Sequence, residues 1–256
     1  MKISYGIKTS PPTRFTAEAF GSKEFPTPLQ GGQNTSYLSG NIVLKPTNNE
    51  SYANWMAQVF DSLPASTFVR FPRPVKSITG KFVHDNYVAW TFMKGEHVRG
   101  QYKEKLQASI EFHKLLNRVP KPDFIGTARD SWSTGDLVAW QKLDFNYDEA
   151  FKQLYDQIKP HLKVLELPSQ LVHGDLSGNF LCGQDLPPAI LDFSLTWAPN
   201  GFAEGIMLVD VIAWEDAKPE DLEVFKEIEN IGQFAWRGAL RRITEQAEHI
   251  KWLGKG

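Results

Sequence analysis

The sequence of 256 residues is poor in several features that would assign it to a class at once. It has one cysteine, Cys182, which excludes an internal disulfide framework and a zinc site built from cysteines. It lacks the run of about 18 apolar residues that spans a membrane, and its N-terminus lacks the apolar segment of a secretory signal. The formal net charge of −2 argues against nucleic acid or an acidic membrane as a partner. We therefore expect a cytoplasmic protein.

Two common catalytic motifs are also missing. No Gly-x4-Gly-Lys-[Ser/Thr] stretch is present, which excludes a P-loop NTPase. The run Gly174-Asp175-Leu176-Ser177-Gly178 comes near the Gly-x-Ser-x-Gly motif of hydrolases, but its serine stands at the wrong position. Apolar residues make up 41% of the chain and charged residues 23%, so an ordinary globular core is expected.

The first part of the chain reads as a small antiparallel sheet with one helix. Residues 29–46 predict one or two hairpins with a glycine-rich tip, and Lys45 ends the second apolar strand. Residues 50–63 have helical spacing, with Asn48 or Asn49 as the cap. Strands are expected over 67–71 and 82–93, and residues 1–28 read as irregular. Gly95 is the expected hinge after a β-rich lobe.

The remainder reads as mainly helical. Helices are predicted over 101–119, 147–163, 219–231 and 232–253, while 130–141 reads as a loop. The charged residues of the last helix, among them Arg241 and Arg242, read as a solvated face. His113 lies near an apolar stripe, where a satisfied core histidine is the plainer interpretation than a catalytic one.

Polar residues follow two apolar runs in the middle of this part. His173-Gly174-Asp175 follows Leu171-Val172, and Asp192 follows Ala189-Ile190-Leu191. Buried carboxylates are rare unless they are paired or bound to a cation. Asp175, Asn179 and Asp192 all offer oxygen atoms, which suit a hard cation such as Mg²⁺.

Two upstream signals are weak when they are taken singly. The stretch Gly31-Gly32-Gln33-Asn34-Thr35 fits a plain hairpin turn as well as a loop whose backbone N–H groups approach a phosphate. Lys45 fits a solvated edge lysine as well as a phosphate ligand. The glycine-bearing stretch and Lys45 become more informative together, because both precede Asp175 and Asp192 along the chain.

That order resembles the kinase-like phosphotransferases, and most of all the aminoglycoside phosphotransferase and choline kinase branch, which has His-Gly-Asp where protein kinases have His-Arg-Asp. The resemblance covers residues 29–215, and its most specific part is 171–194. It implies an α+β, bilobal protein-kinase-like fold. Residues 1–94 would form the nucleotide-binding lobe, and residues 95–256 a larger, mainly helical lobe for catalysis and substrate binding.

The resemblance also implies a role for each matching residue. Asp175 would accept or orient the proton of a substrate hydroxyl, and Asn179 and Asp192 would hold the Mg²⁺ that bridges the phosphates of ATP. The nucleotide would be held by the glycine-bearing loop, by Lys45 and by the backbone near the hinge: Gly31, Gly32, Gln33, Asn34, Thr35, Lys45, Phe92 and Met93. His173 and Asp210 would brace the catalytic loop.

Three positions depart from the pattern of that branch. The interval from Asp175 to Asn179 is one residue shorter, Ser194 stands at the glycine position of Asp-Phe-Gly, and Glu50, Gln58 or neither would pair with Lys45. The leading hypothesis is an ATP- and Mg²⁺-dependent phosphotransferase that acts on a hydroxyl of a small molecule. The alternative is a catalytically inactive kinase-like protein that binds nucleotide or a partner. The acceptor substrate and the oligomeric state stay open.

Overall fold

A computed structural model describes residues 10–30, 35–125 and 130–253, with side chains through Lys251. The chain divides into two compact units. One contains the described residues from 10 to Ala65 together with Arg70–Gly95, and the other contains Ser66–Val69 and the described residues from Glu96 onward. The division between nucleotide-binding and catalytic roles at this point stays a prediction.

The first unit is built on an antiparallel sheet. The strands are β1 (Thr27–Pro28), β2 (Tyr37–Ser39), β3 (Ile42–Pro46), β4 (Pro74–Val75), β5 (Val83–His84) and β6 (Tyr87–Thr91). Their order in the sheet is β1-β2-β3-β6-β4, and β5 pairs with β6. Ile42 and Leu44 lie on the same face of β3 and pack in the core with Ala89 of β6. Helix α2 (Glu50–Ser62) begins where the Asn49 side chain accepts a hydrogen bond from the backbone N–H of Tyr52.

This unit differs from the sequence prediction at three places. A short helix, α1 (Arg14–Ala19), begins at a capping box between Thr13 and Thr16, within the segment predicted to be irregular. The predicted strand 67–71 does not form: among these five residues, Arg70 alone makes an isolated β-type pairing. The predicted strand 82–93 is divided by Asp85 and Asn86, both with positive φ, into the hairpin of β5 and β6.

The second unit is mainly helical, as predicted. Its elements include the helices α3 (Tyr102–Leu116), α4 (Ser131–Ala139), α5 (Glu149–Ile158), α6 (Phe202–Trp214) and α7 (Ile231–Leu253), with 3₁₀ turns at Lys159–His161 and Pro219–Glu227. The prediction of a loop at 130–141 was wrong, because Asp130 caps α4 through a reciprocal pair of hydrogen bonds with Ser133. Within the described residues, no helix is both long and apolar enough to cross a membrane.

Two short ladders complete this unit and carry its polar loops. Strand β7 (Ser169–His173) pairs with β10 (Leu195–Pro199), and His173 stands opposite Leu195. Strand β8 (Phe180–Gly183) pairs with β9 (Leu186–Ile190), and Phe180 stands opposite Ile190. Segment 174–179 connects β7 to β8, and segment 191–194 connects β9 to β10. Since all four strands are paired, both ends of each segment are fixed.

Candidate functional site

Backbone hydrogen bonds join the two loops that carry the predicted site residues. We call residues 174–179 the catalytic loop and residues 191–194 the metal loop, after their predicted roles. The N–H of Gly174 donates to the carbonyl oxygen of Ser194 at 2.8 Å, and the N–H of Leu191 donates to that of Asn179 at 2.9 Å. The two loops are thus neighbours, with Asp175 and Asn179 on one and Asp192 on the other.

The catalytic loop closes on itself despite being one residue shorter than in the related branch. The Nδ2 of Asn179 donates to the backbone oxygen of Asp175 at 2.7 Å, and it lies 3.5 Å from Oδ2 of the same residue. Gly178, with a φ of +79°, makes the turn that this contact needs. Since Nδ2 faces Asp175, the Oδ1 atom of Asn179 is the amide atom that can serve as a ligand.

His173 is a buried support of this loop. Its Nε2 donates to the carbonyl oxygen of Leu191 at 2.8 Å, and its Nδ1 accepts from the N–H of Asp175 at 3.1 Å. Burial lowers the pKa of His173 to about 4, so the neutral ring persists near neutral pH. The ring thus links the two loops through hydrogen bonds, and its bracing role stays a prediction.

His113 supports His173 from helix α3. Its Nε2 accepts from the backbone N–H of His173 at 3.0 Å, and its Nδ1 lies 2.9 Å from Oε1 of Glu204. Ser109 donates to the same oxygen. Burial by itself would raise the pKa of Glu204, but the contacts with His113 and Ser109 outweigh it and hold the pKa below its ordinary value. His113 is therefore a satisfied core histidine, as the sequence indicated.

An arginine that the sequence did not single out contacts Asp175 directly. Nη2 of Arg242, on helix α7, donates to Oδ1 of Asp175 at 2.6 Å. The same guanidinium holds Asp210 of α6, through Nε to Oδ1 at 2.8 Å and through Nη2 to Oδ2. Asp210 therefore reaches the catalytic loop through Arg242, and its bracing role stays a prediction.

The neighbouring arginine is fully buried beneath the catalytic loop. Arg241 is 0% exposed, and its Nε donates to Oδ1 of Asp136 at 2.6 Å, while Nη1 lies 3.0 Å from Glu245. Thr196 donates to the other oxygen of Asp136 at 2.8 Å. The interpretation of these α7 charges as a solvated face was wrong, because carboxylates of α4, α6 and the catalytic loop cover them.

The metal loop offers a second oxygen ligand. Asp192 is exposed and has a φ of +46°, a left-handed conformation that Asp tolerates better than most residues. In the described part of the chain, no group of three or more His, Cys, Asp or Glu side chains forms a metal centre. Asn179 and Asp192 stand on neighbouring segments and both carry hard oxygen donors. Two such donors fit Mg²⁺, because that ion usually takes its other ligands from phosphates and water.

The remaining predicted residues that the structure describes belong to the first unit. Lys45 lies on β3 opposite Val88 of β6, and burial lowers its pKa to about 8. Thr35 is half-buried just before β2, where Leu29 N–H donates to the carbonyl oxygen of Ser36 and extends the β1–β2 hairpin. Phe92 and Met93 follow β6, and the N–H of Phe92 donates to the carbonyl oxygen of Asn41. Gly31, Gly32, Gln33 and Asn34 lie outside the described residues.

Solved structures with the same fold are numerous, and three illustrate the range. The choline kinase LicA from Streptococcus pneumoniae is similar with a TM-score of 0.62 and 9% identity, over 95% of this chain and 90% of that one. The spectinomycin phosphotransferase APH(9)-Ia, in complex with ADP and spectinomycin, gives 0.57 and 15%, over 92% and 85%. APH(2")-IIia, in a complex with GDP and kanamycin, gives 0.55 and 16%, over 87% and 84%.

The TM-scores above 0.5 over most of each chain establish the fold, which is the predicted protein-kinase-like one. Among curated proteins, none matches the chain. The model of the phosphotransferase enzyme family, however, matches residues 42–197, which is more than half of the sequence and includes both β3 and the metal loop. The chain therefore belongs to the phosphotransferase enzyme family.

Proposed function

We propose that the protein is an ATP- and Mg²⁺-dependent phosphotransferase that transfers the γ-phosphoryl group to a hydroxyl of a small molecule. The observation that carries the proposal is the closed catalytic loop, in which Asp175 and Asn179 are joined by a hydrogen bond and tied to the chain beside Asp192. In phosphoryl transfer the protein mainly positions the reacting groups and supplies cations that stabilise the developing charge.

Asp175 is the proposed catalytic base. A carboxylate within hydrogen-bond reach of the attacking hydroxyl accepts its proton as the bond to phosphorus forms, an effect of roughly 10²–10⁴-fold. Arg242 occupies Oδ1, and the backbone oxygen of Asp175 is occupied by Asn179. Oδ2 is approached by Asn179 Nδ2 only at the long distance of 3.5 Å, and it is therefore the atom that we assign to the substrate.

Asn179 and Asp192 are the proposed Mg²⁺ ligands, through Oδ1 and the carboxylate respectively. When bound, Mg²⁺ would neutralise charge on the phosphate oxygens of the nucleotide. The short loop supports this assignment, because the hydrogen bond from Asn179 to the backbone of Asp175 fixes which amide atom is available.

Lys45 is the proposed phosphate ligand from the first unit. Burial lowers the pKa of Lys45 to about 8, so above pH 8 the free protein holds it mostly neutral.

Phosphate charge favours the ammonium form of Lys45, and binding of Mg-ADP at about pH 8.5 should therefore take up a proton. Titration calorimetry in buffers of different ionisation enthalpy measures this uptake. Lys45→Arg, which stays charged, should abolish it, and equal uptake in both proteins would contradict the assignment.

The decisive test is a screen for ADP release from Mg-ATP over hydroxylated metabolites and antibiotics. We expect turnover with at least one compound, and a loss of roughly 10²-fold or more in kcat for Asp175→Asn. The matched control is Asp185→Asn, an exposed aspartate at the β8–β9 turn, which should retain full activity.

The outcomes separate the two functions that the sequence left open. Turnover that Asp175→Asn abolishes supports the phosphotransferase. Tight Mg-ATP binding in calorimetry without turnover on any compound would favour an inactive, nucleotide-binding member of the family. No binding of nucleotide at millimolar concentration would overturn the phosphotransferase and the nucleotide-binding alternative, and would leave an inactive protein that binds a partner.

A further inference from the structure

The guanidinium of Arg242 contacts three carboxylates at once. Besides Asp175 and Asp210, its Nη1 donates to Oε2 of Glu245 at 2.9 Å. All three guanidinium nitrogens are therefore engaged, and the side chain is only 19% exposed. Such planar, multiple contacts fix the orientation of the arginine, and they are beyond the reach of a lysine ammonium.

Asp175 is correspondingly constrained from several sides. Its backbone N–H donates to His173, its backbone oxygen accepts from Asn179, and its Oδ1 accepts from Arg242. A carboxylate held at one oxygen cannot rotate about its terminal bond without losing a charge-assisted hydrogen bond, which is about twice as strong as a neutral one. Its Oδ2 atom consequently keeps one direction.

We propose that Arg242 is a positioning residue for Asp175: it uses Asp210 as its anchor and turns Oδ2 of Asp175 toward the hydroxyl of the acceptor. This inference rests on the proposed function, because it presumes that Asp175 is the base. It assigns a catalytic contribution to helix α7, which lies beyond the residues 42–197 that match the family model.

The charges around this contact show why the position needs an arginine. Asp175 and Arg242 are surrounded by ionisable groups from several elements: His173 on β7, Asp136 on α4, Asp210 on α6, and Arg241 and Glu245 on α7. Four of the carboxylates, those of Asp136, Asp175, Asp210 and Glu245, share two guanidinium groups. A neutral residue at 242 would leave Asp175 beside Asp210 with no cation between them, and repulsion would turn the carboxylate away.

The test compares two substitutions at 242 with a matched control on the same helix. Arg242→Gln removes the charge and the multiple contacts, and Arg242→Lys keeps the charge alone. The control is Arg237→Gln: Arg237 is also buried, but its Nη atoms bond to Gln233 and to the backbone of Lys163. Steady-state kinetics with the acceptor that the ADP-release screen identifies gives kcat and the two KM values. Calorimetry with Mg-ADP gives nucleotide affinity.

We expect Arg242→Gln to lower kcat about 10²-fold, the size of effect that a misplaced group produces. Its KM for ATP and its affinity for Mg-ADP should stay within about twofold of wild type, because no nucleotide contact changes. Arg242→Lys should recover part of kcat, and about 10 mM guanidinium should partly restore the Gln variant. Arg237→Gln should lower the melting temperature while kcat at 20–25 °C stays unchanged.

Three results would overturn the inference. An unchanged kcat in Arg242→Gln would show that Asp175 needs no positioning, and a raised kcat would show that the arginine restrains the base. An equal loss of kcat in the Arg237→Gln variant would show a general effect of destabilised α7. These results leave the proposed function intact as long as Asp175→Asn is inactive, whereas an inactive wild-type protein that still binds nucleotide overturns both.

Discussion

Two buried polar networks support the same loop in different ways. The histidine network, which comprises Ser109, His113, His173 and Glu204, reaches the catalytic loop through backbone N–H groups. The arginine network, which comprises Asp136, Asp210, Arg241, Arg242 and Glu245, reaches the Asp175 side chain itself. The first sets the path of the chain, and the second sets the direction of a functional group.

Their charges differ as well. The histidine network holds one carboxylate whose pKa lies below its ordinary value, because His113 and Ser109 outweigh the effect of burial. In the arginine network, burial raises the pKa of Asp136 and Asp210, and it raises that of Glu245 to about 7. The network therefore holds more carboxylates than guanidinium groups close to Asp175, which is costly for stability. Such a cost is expected where residues are selected for function and not for packing.

The largest effect that separates the networks is expected at Glu204. Glu204→Ala leaves the ring N–H of His113 and the hydroxyl of Ser109 buried without an acceptor, and we expect a loss of about 3–5 kcal/mol in the free energy of unfolding. Glu204→Gln keeps an acceptor at Oε1 and should cost roughly 1–2 kcal/mol. Urea denaturation measures both. Equal losses would mean that the charge of Glu204, and not its acceptor role, supports the histidines.

A second expectation concerns pH and His173. Its folded pKa of about 4 lies below the ordinary value of 6.5, so the unfolded chain takes up a proton that the folded protein does not. This contribution to stability is complete above pH 6.5 and is lost as the pH falls toward 4, by about 3 kcal/mol.

Denaturation curves between pH 7 and pH 4 test that expectation. The slope of stability against pH should be shallower in His173→Gln than in the wild type. The control is His161→Gln, since His161 is an exposed residue that stacks on Trp236. An unchanged slope in His173→Gln would assign the acid sensitivity to other groups, with the carboxylates of the arginine network as the next candidates.

The two networks were not equally predictable from the sequence. The order of Lys45, His-Gly-Asp, Asn179 and Asp192 follows from local patterns, because polar residues directly after apolar strands are visible in a short window. His113 was predictable for the same reason, since it lies beside an apolar stripe of one helix. The α+β, protein-kinase-like fold that the resemblance implied is confirmed by the similarity to solved structures.

The arginine network was missed because nothing local indicates it. Charged residues are rarely fully buried, so Arg241 and Arg242, in a helix that also carries Glu245 and Glu248, read as solvated. Their partners Asp136 and Asp210 lie 105 and 32 residues away along the chain. One of these partners lies on α4, which was itself read as a loop, so the prediction lacked the element that covers Arg241.

The smallest expected effect concerns the glycine where the networks approach each other. A Cβ atom at Gly174 would overlap Oγ1 of Thr196 and lie 3.1 Å from Nη2 of Arg241. Gly174→Ala should therefore cost about 1–3 kcal/mol, and Gly174→Ala with Thr196→Ala should cost less than the sum of the single changes. Gly232→Ala, where a Cβ meets open space, is the control and should not destabilise the protein. If the costs measured by urea denaturation are additive, the Thr196 side chain moves aside freely. Its hydrogen bond to Asp136 then does not hold the loop in place.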